Sequence, residues 1–117
     1  MRFVSLILAA TALAAPAAAR EPVHVPVYEK NFPDPFVLPI QDGTFVAYAT
    51  NDGINLPMIT SRDLVNWTPV MDPANPSRRL DGMPRLAPWA REGFTWAPEV
   101  ARVGGRYILY YTANHRR

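Results

Sequence analysis

Two stretches of this chain repeat each other, and the repeat limits the folds open to it. The first is D-P-F-V-L-P-I-Q-D-G-T-F-V-A-Y-A-T, residues 34–50. The second is A-P-E-V-A-R-V-G-G-R-Y-I-L-Y-Y-T, residues 97–112. Pro35 aligns with Pro98 and Val37 with Val100. After a one-residue gap, Gly43 aligns with Gly105, Phe45 with Tyr107, Tyr48 with Tyr110 and Thr50 with Thr112, an offset of 62 to 63 residues. Each copy reads as strand, glycine turn and aromatic strand. Such a unit buries its faces only against neighbours, so its recurrence suggests the blades of a propeller. Two tandem hairpins of a β-sandwich would give the same pattern.

The rest of the chain fits an all-β class. Arg20 to Pro33 carries Pro22, Pro26 and Pro33 among valines and reads as an extended arm, because proline fixes φ and removes a backbone donor. The strand opened by Asp34 is followed by a Gln41-Asp42-Gly43 turn, a strand over Thr44–Thr50 and a second turn at Asn51-Asp52-Gly53. Leu56 to Thr60 is a third strand. Ser61 to Trp67 is a turn with a large apolar anchor, and Thr68 to Met71 is a short outer strand. Asp72 to Arg91, with Pro73, Pro76, Pro84 and Pro88, reads as a long irregular loop ordered by packing of Leu80, Leu86 and Trp89. Strands resume over Phe94–Val103 and Arg106–Thr112, joined by Gly104-Gly105. No stretch beyond residue 19 sustains helical periodicity.

Residues 1–19 are a separate object. Met1-Arg2 is a short basic start, Phe3 to Ala15 an apolar run, and Pro16 to Ala19 offers small residues for cleavage, so the segment reads as a signal peptide. The protein is expected to be secreted or periplasmic, with residues 20–117 as its folded part. There is no cysteine, so burial and backbone pairing must hold the fold without disulfides. Twelve Lys and Arg stand against ten Asp and Glu, scattered along the chain, which argues against a nucleic-acid or membrane partner. The pairs Arg78-Arg79 and Arg116-Arg117 read as solvated surface.

Asp34 is the first candidate for chemistry. It lies between Pro33 and Pro35 at the head of an apolar strand, where a carboxylate is costly unless paired, capped or functional. Asp-Pro is also a common turn pair. In a propeller the innermost strand of each blade lines the central channel, so Asp34 would face a funnel. Trp96 and Glu99 occupy the matching region of the second unit. An indole face beside a channel can stack on a sugar ring, although Trp96 also suits an apolar core. Two carboxylates, Asp34 and Glu99, suit glycoside hydrolysis, which needs an acid for the leaving oxygen and a base or nucleophile. Glu99 could equally pair with Arg102 or Arg106. His24 and His115 are isolated and form no metal-ligand pattern.

Taken together, N-F-P-D-P-F-V, Y-A-T-N, S-R-D-L-V-N-W, F-T-W-A-P-E-V and G-G-R-Y-I-L-Y-Y-T resemble glycoside hydrolase family 43 in order and spacing, over nearly all of the chain after residue 19. The pairing of S-R-D-L-V-N-W with W-A-P-E-V about thirty residues later is the most specific part. The resemblance implies a five-bladed β-propeller with a funnel-shaped site. It implies inverting hydrolysis of arabinose- or xylose-containing plant polysaccharides and oligosaccharides. It assigns the general base to Asp34 and a pocket wall to Trp96. It also excludes Glu99 as proton donor, and places the second Asp and the acid Glu in later blades, beyond Arg117. The expectation is therefore an N-terminal portion holding about two blades, inactive alone. No cofactor is expected, and the resemblance leaves room for a calcium ion in the channel of a complete propeller. A sugar-binding propeller without catalysis and an incomplete gene product are the alternatives.

Overall fold

The structure is a computed structural model in which residues 25–116 are described. The expected signal peptide lies outside the described residues. Among these residues there are eight strands and no helix. Strands β1 (Phe36–Pro39), β2 (Phe45–Tyr48), β3 (Met58–Ser61) and β4 (Thr68–Pro69) form one antiparallel sheet in the order β1-β2-β3-β4. Strands β5 (Met71–Asp72) and β6 (Asn75–Arg79) pair as a ribbon, and β7 (Ala90–Val103) pairs with β8 (Arg106–His115).

The repeat is visible in the register. Phe36 faces Tyr48 and Pro39 faces Phe45 in the first unit; Glu99 faces Tyr110 and Arg102 faces Tyr107 in the second. These are the same pairs shifted by 63 residues on the first strand and 62 on the second, so the one-residue difference is absorbed in the turn. The first turn uses Gly43 at φ +79°, and the second uses Gly104 and Gly105 at +55° and +78°. Two consecutive positive φ values suit a tight hairpin whose twist matches its strands.

The units meet through their first strands, β1 lying against β7. Tyr48 of β2 is half-buried near Tyr107 of β8; burial first, and the neighbouring phenol second, push the Tyr48 hydroxyl up from its ordinary value. The opposite face of the first sheet, with Val37, Ala47 and Ile59, is lined by Val27, Tyr28 and Phe32 of the arm. Ala47 and Ile59 are buried there, and the rings of Tyr28 and Phe32 meet edge to face at 5.6 Å. The described part of the expected arm, residues 25–33, thus shares a partly open cavity with that sheet face.

Several expectations need correction. The segment 72–91 is not wholly irregular, because Asn75–Arg79 pairs with Met71–Asp72 around a Pro73-Ala74 turn. Pro73 sits where its fixed φ suits a turn, and Pro76 lies on a two-stranded ribbon that tolerates a missing donor. The expected outer strand over Thr68–Met71 is divided between β4 and β5. Strand β7 begins at Ala90 and β8 runs to His115. Ala90 faces His115, and the Arg116 amide donates to the Trp89 carbonyl at 2.7 Å, so tertiary pairing extends both strands past their sequence signals. Of the expected loop anchors, Leu80 and Leu86 are partly covered, whereas Trp89 is 47% exposed.

Buried polar groups join the units. Asn55 is buried; its amide donates to the Met83 carbonyl, its side-chain oxygen accepts from the Gly93 amide, and its carbonyl accepts from the Thr95 hydroxyl at 2.7 Å. Asp81 holds the same loop by accepting the amides of Asn55, Leu56 and Met83, each at 2.9 Å. Arg79, expected on the solvated surface, instead makes a two-pronged ion pair with Asp52 at 2.6 and 3.0 Å. In the Ser61–Trp67 turn, Leu64 has φ +63°, and the Asp63 carboxylate accepts the amides of Asn66 and Val65.

Asn55→Ala removes contacts on both sides of the junction and leaves the buried Met83 carbonyl and the part-buried Gly93 amide without their partner. The expected loss is about 2–4 kcal/mol, measured by urea unfolding against the unsubstituted chain. Asp63 supplies a pH test. The Asn66 backbone amide, then the Asn66 side chain and the Val65 amide, hold its carboxyl well below the ordinary 3.8. A depressed folded value gives a contribution fully present above the unfolded value, about 3.9. That contribution declines as pH falls further and is gone once Asp63 itself protonates. The Val65 and Asn66 amide signals should therefore titrate below the range of an unperturbed aspartate in an NMR pH series.

Candidate active site

The candidate site is assembled where the two units meet at their first strands. Asp34 stands two residues before β1, and Ala97, its counterpart in the repeat, lies within β7. Both precede a proline, and both have left-handed backbone, Asp34 at φ +50° and Ala97 at φ +45°. A residue before proline is ordinarily driven to extended values. Each position therefore carries strain on the order of 1–3 kcal/mol, of the kind that clusters at functional sites. In β7 the strain coincides with a bulge. Trp96 faces Thr112 and Glu99 faces Tyr110, so three steps on β7 match two on β8, and the extra residue falls at Ala97-Pro98.

Thr50 bridges the two strained residues. Its hydroxyl donates to Asp34 Oδ2 at 2.7 Å, and its oxygen accepts the Ala97 amide at 3.0 Å. Its own amide donates to the Pro33 carbonyl at 3.0 Å. Next to it, the Asn51 backbone and side-chain amides both donate to the Thr95 carbonyl, at 3.2 and 2.8 Å. These bonds stitch residues 50–51 to residues 95–97. Asp34 and the Trp96 strand are thereby brought together, with the Asp34 residue itself exposed to solvent.

Trp96 is half-buried in β7, and its ring meets Phe94 edge to face at 6.1 Å. The Arg91 guanidinium covers Phe94 at 4.0 Å from the ring centre. Glu99 is exposed and makes no ion pair with Arg102 or Arg106 among the described residues. His115 lies at the end of β8, and His24 is outside the described residues. Among the described residues no three His, Asp or Glu side chains converge to hold a metal ion. No helix there is long and apolar enough to cross a membrane.

The other aspartates are occupied. Asp52 binds Arg79, Asp72 binds Arg78, Asp42 faces Arg62 at 3.5 Å, and Asp63 and Asp81 accept backbone amides. The Arg78 contact, followed by the Ala74 amide, lowers the Asp72 carboxyl from its ordinary value. A cavity of about 400 Å³ opens among Asn55, Asp72, Arg78, Arg79, Glu92 and Gly93, and neither Asp34 nor Trp96 lines it. Within its lining Asp72 pairs with Arg78, Arg79 reaches out to Asp52, and Asn55 bonds across to Gly93, so the cavity belongs to the junction between units.

Sequence reasoning missed Thr50. The available signal was its alignment with Thr112, which identifies a recurring position without revealing what its hydroxyl touches. The left-handed backbone at Ala97 supplies a test of the site's geometry. Ala97→Gly relieves about 1–2 kcal/mol, offset by roughly 0.4–1 kcal/mol of added freedom in the unfolded chain. The expected result is a neutral or slightly stabilised protein. Ala97→Val should lose about 1–3 kcal/mol, both variants being measured by denaturant unfolding.

Comparison with curated proteins finds no match, and comparison with solved structures finds none. A comparison with family profiles finds one over residues 23–117, which takes in both strained positions, Thr50 and Trp96. With the match spanning most of the chain, the protein belongs to the glycosyl hydrolases family 43.

Proposed function

We propose that this chain contributes the general-base side of an inverting glycosidase acting on arabinose- or xylose-containing plant polysaccharides and oligosaccharides outside the cytoplasm. Asp34 is the base and Trp96 a wall of the sugar pocket. The observation that carries the reading is the contrast among aspartates. Asp34 keeps an exposed carboxylate with one oxygen engaged by Thr50, whereas Asp42, Asp52, Asp63, Asp72 and Asp81 are tied to cations or backbone amides. A base must meet water, and a carboxylate already spent on an arginine or a turn has little left for it.

The chemistry follows from inversion. Ionised Asp34 takes a proton from a water poised on the sugar face opposite the leaving group, while a second carboxylic acid protonates the glycosidic oxygen. The two carboxyl groups stand about 6.5–9.5 Å apart to admit that water. Family membership supports a sugar substrate. Glu99, exposed on β7, is not assigned the acid role, and the acid comes from a blade beyond residues 25–116.

The test compares the 117-residue chain with a longer polypeptide in which the same residues are followed by an acid-bearing blade. The short chain should leave arabinosyl and xylosyl aryl-glycosides intact. The longer one should hydrolyse them to the inverted anomer, read by proton NMR during the first turnovers. In it, Asp34→Asn should lower kcat by about 10²–10⁴-fold. Turnover by the short chain, or indifference of the longer one to Asp34→Asn, overturns the reading.

A further inference from the structure

We infer that Thr50 is the positioning residue of the proposed base: its hydroxyl fixes the Asp34 carboxylate by a bridge to the first strand of the next unit. The inference rests on the reading of Asp34 as base and concerns a residue that the reaction itself does not require.

A threonine hydroxyl can donate once and accept at its lone pairs. The Ala97 amide supplies a donor to Thr50 Oγ1 at 3.0 Å, and that amide cannot turn away without moving β7. With its acceptor side engaged, the hydroxyl directs its proton to Asp34 Oδ2 at 2.7 Å. A hydrogen bond to a charged acceptor of this length is stronger than a neutral one.

The donor is itself immobile. Thr50 is only 8% exposed, the preceding Ala49 is fully buried, and the Thr50 amide is held by the Pro33 carbonyl. A β-branched side chain has few χ1 choices. The Pro33 bond closes a short loop, because the carbonyl one residue before Asp34 and the carboxylate of Asp34 are both gripped by the same threonine. Backbone and side chain of Asp34 are thus fixed from one point. Its other oxygen, Oδ1, has no hydrogen-bond partner among the described residues and is the one left to receive a proton from water.

The bridge also explains why two strained residues coexist. Asp34 at φ +50° and Ala97 at φ +45° each present a group to the same oxygen, one as acceptor and one as donor. Extended backbone at either position would aim its group elsewhere. Strain in one unit is therefore coupled to strain in the next through one side chain. A base set by this coupling cannot settle its orientation until the neighbouring unit has docked.

The decisive measurement is made by NMR on the full 117-residue chain carrying Thr50→Val, which keeps the shape and removes the hydroxyl, and Thr50→Ser, which keeps the hydroxyl. In Thr50→Val the Asp34 Hα–Hβ couplings should change from a single rotamer to averaged values. Protection of the Ala97 amide against exchange should fall about tenfold or more, the size expected for one lost hydrogen bond. Thr50→Ser should restore both. A single Asp34 rotamer and a protected Ala97 amide in Thr50→Val overturn the inference. If Thr50→Val does not fold, Asp34→Ala gives the reciprocal reading: the Thr50 hydroxyl proton should exchange about tenfold faster, and unchanged exchange counts against the bridge. Kinetics of the longer polypeptide separate the two claims. With Asp34→Asn inactive, Thr50→Val should lower kcat about 10- to 100-fold with KM within about twofold, and Thr50→Ser should recover most of it. Full kcat in Thr50→Val beside an inactive Asp34→Asn sinks the role of Thr50 and leaves the base standing. Full activity in Asp34→Asn removes the base, while the couplings still decide the bridge.

Discussion

One hydroxyl group joins the two halves of this structure at their most strained points. Thr50 donates to the carboxylate of Asp34 and accepts the amide of Ala97, and both of those residues sit in left-handed backbone before a proline. Either conformation alone is unfavourable, and a proline after it narrows the alternatives further. The surrounding contacts make the arrangement stable. The Pro33 carbonyl accepts the Thr50 amide, and the Thr95 carbonyl accepts both amides of Asn51. The candidate site is thus a by-product of how one unit is fastened to the next.

The same principle sorts the carboxylates. A carboxylate removed from water needs a cation or several N–H donors. Asp52 and Asp72 have arginines, Asp81 has three amides, and Asp63 closes its own turn. Each is committed to shape. Asn55 does comparable work without charge, linking the loop after β2 to Met83, Gly93 and Thr95. Because polar bonds of this kind secure the junction, a carboxylate at its rim can stay solvated, as Asp34 does.

Much of this was legible beforehand, and the reasons differ by residue. The repeat was readable because prolines, turn glycines and aromatic residues recur at fixed offsets, and the cross-strand pairs reproduce that alignment. The hairpin over Met71–Arg79 was not. Its prolines carry the same composition as a loop, and whether a proline breaks a ladder depends on which side of the strand needs a donor. The extension of β7 to Ala90 was equally hidden, since Ala90-Arg91-Glu92-Gly93 has no strand signal and is held by pairing with His115 and bonds from Arg116. The pairing of Arg79 with Asp52 spans 27 residues, which no local pattern could announce. Asp34 stood out as a misplaced carboxylate. Thr50 did not, because a threonine ending a strand is ordinary until its two partners are known.

The repeat also accounts for how chemistry differs between equivalent places. The left-handed residue before the proline common to both repeats is a slot that lies two residues ahead of β1 in the first unit and at the bulge within β7 in the second. In the first unit the slot holds Asp34, whose side chain reaches Thr50 and water. In the second it holds Ala97, which ends at a methyl group and contributes only its amide. The residue beside each slot differs as well: Pro33 in the first unit, whose carbonyl ties down Thr50, and Trp96 in the second, half-buried against Phe94. One backbone geometry thus supplies a charge in one unit and, beside a small residue, an aromatic surface in the next. Under the proposed function this is the division of labour a sugar pocket needs. A negative group must approach the water, while an apolar plane faces the ring, and both must be held at a fixed separation by the docking of rigid sheets rather than by flexible loops.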